Sequence, residues 1–187
     1  MRICLYAGPG AGKSTLAHFL ADQLARDGFI VEHSPEVIKP RAYRGDWPSD
    51  WENFTDIFAK QMQQEREWLE SGVKHVLTDS PIFLQCFYMA GRNAAPTLGC
   101  LHLARDWERA HPAVNVYLDR SARIEYEQAG RYQDKKEAER LDASLQAFLA
   151  SEEVECDHFD AFDRPAILAH VRECLRYERP SPFRAPA

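Results

Sequence analysis

Along this chain, short runs of apolar residues alternate with longer stretches in which apolar positions return every three or four residues. Runs of β length separated by helix-length segments predict an α/β domain whose parallel sheet is covered by helices on both faces. Arg2–Ala7 predicts a buried strand. Leu16, Phe19, Leu20 and Leu24 then line one face of a helix from about Ser14 to Arg26, which Gly28 stops. Phe29–Glu32 reads as a second strand, Pro35–Tyr43 as a helical segment broken at Pro40, and Asn53–Glu70 as a long helix closed by Gly72. A third strand, Val73–Thr78, leads to helices at Ile82–Ala90 and Leu98–Ala110, and a fourth strand spans Val114–Leu118. The pattern then lapses, because Asp119–Lys136 is dense in charge and poor in aliphatics. It resumes with a helix at Glu137–Ala150, a strand at Glu155–Phe159 and a helix at Pro165–Tyr177, which makes the sheet five-stranded. The reading is one domain over residues 1–179, with a proline-rich, loosely ordered tail from Pro180 to Ala187.

The most informative chemistry lies where the first strand meets the first helix. Residues 2–15, RICLYAGPGAGKST, place a glycine-rich turn and then Lys-Ser-Thr after an apolar strand, the layout of a phosphate-binding loop. Glycines let bare backbone N–H groups curl around an anion, and the helix that follows points its positive end at it. Gly8, Pro9, Gly10, Ala11, Gly12, Lys13, Ser14 and Thr15 are the expected contact set for nucleotide phosphates. Lys13, expected as a solvent-accessible charge, reaches the β/γ-phosphates, and the Ser14 hydroxyl ligates Mg²⁺. Ala7 stands where the common pattern has its first glycine, and a small residue still fits.

Three further segments carry candidate chemistry. Asp79 ends the strand of VKHVLTDSP, residues 73–81, where an acid beside a phosphate loop can hold the metal through water or accept a substrate proton. Glu36 follows the second strand and can face an acceptor hydroxyl, while Lys39, Arg41 and Arg44 nearby can bind the acceptor's own phosphate or a strand backbone. Arg120, Arg123 and Arg131 lie in the charged segment of about residues 120–136, which reads as an arginine-bearing lid able to neutralise charge on a transferring phosphate. Trp47, Trp51, Phe54, Phe58, Gln61, Tyr88 and Arg92 are candidates to line an acceptor pocket. Phe54, Phe58 and Gln61 share one helix face, so the aromatics can stack on a base whose edge the amide reads.

Composition excludes several classes. The 23 basic and 29 acidic residues leave a net charge of −6, which advertises neither nucleic acid nor an acidic membrane as a global partner. Cys4, Cys86, Cys100, Cys156 and Cys174 are odd in number and contain no C-x-x-C, so they read as reduced packing residues rather than a disulfide framework or zinc site. With no secretory apolar segment or long apolar span, the expectation is a cytoplasmic protein without a membrane partner.

The chain resembles the P-loop nucleoside and nucleotide kinase superfamily, and more narrowly small phage-type P-loop kinases, among which are 5-hydroxymethyluracil DNA kinases. AGPGAGKST carries the resemblance, with E-x-x-K at Glu36–Lys39, AKQ at Ala59–Gln61, TDSP at Thr78–Pro81 and R…GRYQ…EA…LD from Arg120 to Asp142. It implies a P-loop NTPase fold, ATP and Mg²⁺ as cofactors, and transfer of a γ-phosphate to a hydroxyl of a nucleoside, a nucleotide or a modified base in DNA. It also implies Glu36 as the base by location, while Asp79-Ser80-Pro81 lacks the arginine that the family carries after its acid. Glu36 and Asp79 both remain candidates for that base, and ATP against GTP, the acceptor and the oligomeric state stay open. The competing class is a nucleotide-dependent switch or ATPase that binds a protein partner; the lack of an N-K-x-D-like sequence speaks against a guanine-nucleotide switch.

Overall fold

The computed structural model describes residues 1–46, 51–90, 94–123 and 133–183, with only the backbone of 51–53 and 94–96. The elements are β1 (Arg2–Tyr6), α1 (Lys13–Arg26), β2 (Val31–Ser34), α2 (Lys39–Tyr43), α3 (Trp51–Glu70), β3 (His75–Thr78), α4 (Ile82–Met89), α5 (Ala94–Ala110), β4 (Ala113–Asp119), α6 (Lys135–Ser151), β5 (Asp157–Asp160) and α7 (Arg164–Tyr177). Every strand pairing is parallel, in the order β2-β3-β1-β4-β5. The centre is therefore β1, all five of whose residues are buried. Chain direction across the sheet reverses beside it, and in such sheets ligands bind outside the carboxyl ends of the strands at that point.

Alternation along the strands divides the core between the two faces. Cys4, Tyr6 and Tyr117 pack with Phe54, Phe58, Phe83 and Leu145 from α3, α4 and α6. On the other face, Ile3, Leu5, Val114 and Val116 pack with Leu16, Leu20 and Leu24 of α1 and Ile167 and Val171 of α7.

Several boundaries differ from the sequence expectation for identifiable reasons. Phe29 closes α1 rather than opening β2: its N–H bonds to Leu24 O at 3.0 Å across Gly28, whose φ is +85°. Pro40 falls in the first turn of α2, where its missing N–H costs nothing, so it opens that helix instead of breaking one. α6 begins two residues early on a capping box between Asp134 and Glu137 (2.8 and 2.9 Å). The chain from Pro180 to Phe183 is not a loose tail. Ser181 N–H donates to Ala113 O at 2.7 Å, Asn115 N–H donates to Ser181 Oγ at 2.8 Å, and the Phe183 ring lies 5.9 Å from that of Phe83. Residues 184–187 lie outside the described residues. All five cysteines carry free thiols, and no helix among the described residues is long and apolar enough to cross a membrane.

At the amino end of the sheet, Arg2 is wholly buried and ties β1 to α3 and α5. Its guanidinium meets Glu65 at 3.2 Å, pairs with Glu108 and donates to His111 O at 2.9 Å. Burial pushes the Glu65 carboxyl above its ordinary range, against the opposing charge of Arg2. Removing the cation leaves two carboxylates buried without it, so Arg2→Met is expected to cost roughly 3–5 kcal/mol in urea unfolding. Because the raised carboxyl binds its proton more tightly folded than unfolded, Glu65's contribution is present at low pH and lost as pH rises through the window above the ordinary carboxylate value. Arg2→Met should therefore be least destabilising at acid pH; a loss independent of pH would contradict the charge account.

Candidate phosphate-binding and transfer site

The loop of residues 7–12 leaves the buried end of β1 and turns into α1 through Gly10 and Gly12, whose φ values of +76° and +92° lie in the left-handed region. A side chain at either would be strained. Gly12 caps α1 without a side-chain bond, and no acid occupies the first turn, so the helix presents its first N–H groups and positive end uncovered. This is the local geometry that receives an anion. Within the loop Gly8 and Ala11 are buried and Pro9 partly so, and Thr15 is exposed.

Lys13 is placed differently from the expectation of an open surface charge. It is half-buried and folds back over the loop, donating to Ala7 O at 2.8 Å and Gly8 O at 3.1 Å. Burial lowers its pKa, although the charges of Glu36, Asp79 and Asp142 support the ammonium. The charges of three carboxylates thus act on the loop lysine, two from the segments after β2 and β3 and one from α6.

Asp79, directly after β3, is 2% exposed. Burial acts to raise its pKa, but His33, whose Nε2 is 3.5 Å from Oδ1, and the Ser14 hydroxyl outweigh that and hold the carboxylate below its ordinary range. Asp79 Oδ1 nevertheless has no hydrogen-bond partner among the described residues. Asp79, bonded to Ser14 and with one buried oxygen unpartnered, supplies with Ser14 Oγ a pair of hard oxygen donors, which fits Mg²⁺, an ion that takes few protein ligands and keeps its waters.

Lys39, expected at the acceptor's phosphate, instead donates to Ser14 Oγ at 3.1 Å and so reaches the phosphate loop itself. Arg41 pairs with Asp46 at 3.0 Å. Glu36 is half-buried and within electrostatic reach of Lys13. Gln61 is fully buried; its amide oxygen accepts Val37 N–H at 3.1 Å, which holds the chain after β2 in place. Phe54 and Phe58 belong to the core, and Tyr88 packs at its margin with its ring 5.3 Å from that of Phe87. Arg120, just beyond β4, lies against the loop and donates to Pro9 O at 2.8 Å. Arg123 is exposed. Trp47, Arg92, Arg131 and most of the expected lid lie outside the described residues, as does the side chain of Trp51.

Two residues of this site escaped the sequence reading of roles. His33 sits in β2 with no motif around it and is identified only by its approach to Asp79. Asp142 did leave a signal. It falls four residues after Ala138 and three before Leu145, on the buried stripe of α6, where an acid requires a partner.

The sheet order, the uncapped glycine-built helix start and the Lys-Ser pair define a P-loop nucleotide-binding domain with the fold of nucleotide kinases. The chain belongs to the family described as "AAA domain", whose sequence profile matches residues 2–158. Among solved structures it is similar in fold to a deoxyadenosine kinase from M. mycoides, determined with the products dCMP and a flexible dCDP bound. That likeness has a TM-score of 0.55 at 14% identity and covers 95% of this chain and 100% of that one. No curated protein matches in sequence.

The two acids should separate by metal dependence. Asp79→Asn is expected to raise the Mg²⁺ concentration needed for half-maximal binding of a fluorescent ATP analogue, about tenfold for loss of one charged donor, while Glu36→Gln leaves it unchanged. Equal Mg²⁺ dependence in the two variants would remove Asp79 from the metal site.

Proposed function

We propose that this protein is an ATP- and Mg²⁺-dependent kinase that transfers the γ-phosphate to a hydroxyl of a free nucleoside or nucleotide. The observation that carries the reading is the meeting of Lys13, Ser14, Glu36, Lys39 and Asp79 at the carboxyl ends of three neighbouring strands. The nucleoside-kinase fold of the structural neighbour supports it. A pure switch has no need of a second acid facing the loop, whereas transfer to a hydroxyl needs a carboxylate for the acceptor proton as well as a holder for the metal.

In this mechanism the α1 N-terminus and Lys13 hold and neutralise the donor phosphates. Ser14 and Asp79 would hold Mg²⁺, which would supply further positive charge to them. Glu36, at the mouth of β2, takes the proton from the acceptor hydroxyl as its oxygen bonds to the γ-phosphorus and the bond to the β-phosphate oxygen breaks. Lys39 lies between that acid's loop and Ser14, where a cation can stabilise the same transfer. The free thiols fit a reducing, cytoplasmic setting.

A hydroxymethyl pyrimidine in DNA is the finer alternative acceptor. It requires a basic surface for the strand backbone, and the net charge of −6, with Lys39 turned inward and Arg41 paired, favours the small acceptor. The test is ADP release from ATP with nucleosides, nucleoside monophosphates, and DNA duplexes with and without 5-hydroxymethyluracil. Release should depend on a free nucleoside or nucleotide, and Lys13→Ala should lower it roughly a hundredfold, about 3 kcal/mol of lost phosphate stabilisation. Release that ignores every acceptor would favour the ATPase or switch class, and release stimulated only by modified DNA would move the acceptor to DNA.

A further inference from the structure

Asp142 stands at the junction of three elements. Its Oδ1 accepts Gly8 N–H at 2.9 Å, and the two carboxylate oxygens take one edge of Arg120, with Nε at 2.6 Å from Oδ2 and Nη2 at 3.2 Å from Oδ1. Arg120 Nη2 also donates to Pro9 O at 2.8 Å. The backbone carbonyl of Asp142 in turn accepts the Tyr117 hydroxyl at 3.0 Å, which fixes this turn of α6 to β4. No room is left between helix and loop: a Cβ built on Gly8 would run into the Asp142 carboxylate. Gly8 is not in the left-handed region, so close approach rather than backbone conformation requires glycine there.

A charge-assisted pair made through two parallel bonds fixes the plane of a guanidinium as well as its place. Here one edge of Arg120 is occupied by Asp142 and Pro9, while Nη1 makes no hydrogen bond among the described residues. The carboxylate's charge is taken up by that edge and by the Gly8 N–H. Nη1, with its two N–H bonds, is left to an anion beside the loop.

We propose that Asp142 is a positioning residue that holds Arg120 edge-on against the phosphate loop, so that its remaining N–H groups meet the γ-phosphate of a bound nucleoside triphosphate. The proposal rests on the nucleotide-binding reading of the loop and is independent of the acceptor.

The test measures Mg²⁺-dependent affinity for a non-hydrolysable ATP analogue and for ADP in the wild type, Arg120→Ala, Asp142→Ala, Asp142→Asn and the Arg120→Ala/Asp142→Ala double variant. Preference for the triphosphate should fall about tenfold in either alanine variant and no further in the double variant, because both changes remove one action. ADP affinity should fall less than affinity for the triphosphate analogue, and Asp142→Asn, which keeps the Gly8 bond without the charge, should lose an intermediate share. Gly8→Ala should lower the melting temperature and recover in part when combined with Asp142→Ala, which removes the carboxylate but leaves Ala138 O at 3.2 Å. The proposal is overturned if Asp142→Ala leaves the preference unchanged, if it raises it (as it would if the carboxylate merely competed with phosphate), or if the two losses add. Should Asp142→Ala fail to fold, the nearly isosteric Asp142→Asn reads the same ratio. Wild-type protein that binds neither nucleotide would overturn the loop reading itself, and this proposal with it.

Discussion

The start of α1 is left uncovered. A helix of this length leaves its first N–H groups without intrahelical partners and carries partial positive charge at that end, and proteins usually satisfy both with a capping side chain or an acid in the first turn. This chain supplies neither at Gly12, yet places that helix end directly beyond the most buried strand of the sheet. The loop that makes the connection is bent through two left-handed glycines and closed by its own lysine, whose ammonium bonds the carbonyls of Ala7 and Gly8. The uncapped, positively polarised helix end is backed by the sheet, and the loop before it is tied to α6 through Gly8 and Asp142.

Everything else in the site is arranged around that constraint. Strand order β2-β3-β1-β4-β5 brings the ends of β2, β3 and β4 alongside the loop, so Glu36, Asp79 and Arg120 arrive from three separate parts of the chain. Glu36 and Asp79 face the positive charge of Lys13, and Lys39, Arg120 and the helix end lie beside the same loop. Asp79 is kept ionised despite burial by His33 and Ser14. At the opposite end of β1, the Arg2 network with Glu65 and Glu108 fastens the same strand to α3 and α5. The central strand is thus pinned by charge at its amino end and turned into an anion-binding loop at its carboxyl end.

Much of this was legible in the sequence because it is local. The glycine loop and its lysine are contiguous, and every strand and helix leaves its own hydrophobic period, so the five-stranded parallel sheet and the place of Asp79 at a strand end follow from short windows. Boundaries were lost where a turn or cap decides them: Phe29 belongs to the end of α1, Pro40 to the start of α2, and Asp134 to the cap of α6. Pro180–Phe183 departs from the expected loose tail because Ser181 and Phe183 are held by partners far away in sequence, Ala113, Asn115 and Phe83. Roles that depend on distant pairing were the hardest. Lys39 turns to Ser14 rather than outward, and Gln61, although on the face expected, spends its amide oxygen on the backbone of Val37. Polar residues on an apolar helical stripe, such as Asp142 on α6 and Gln61 and Glu65 on α3, were the available clue that buried partners existed.

The central claim is that the α1 N-terminus receives nucleotide phosphate, and backbone amide resonances read this directly. On titration with Mg²⁺ and a non-hydrolysable ATP analogue, the amide signals of Gly10, Gly12, Lys13 and Ser14 should show the largest saturable shifts in the protein, with smaller ones at Asp79 and Glu36. Saturable shifts concentrated elsewhere, with these four amides unmoved, would contradict the account.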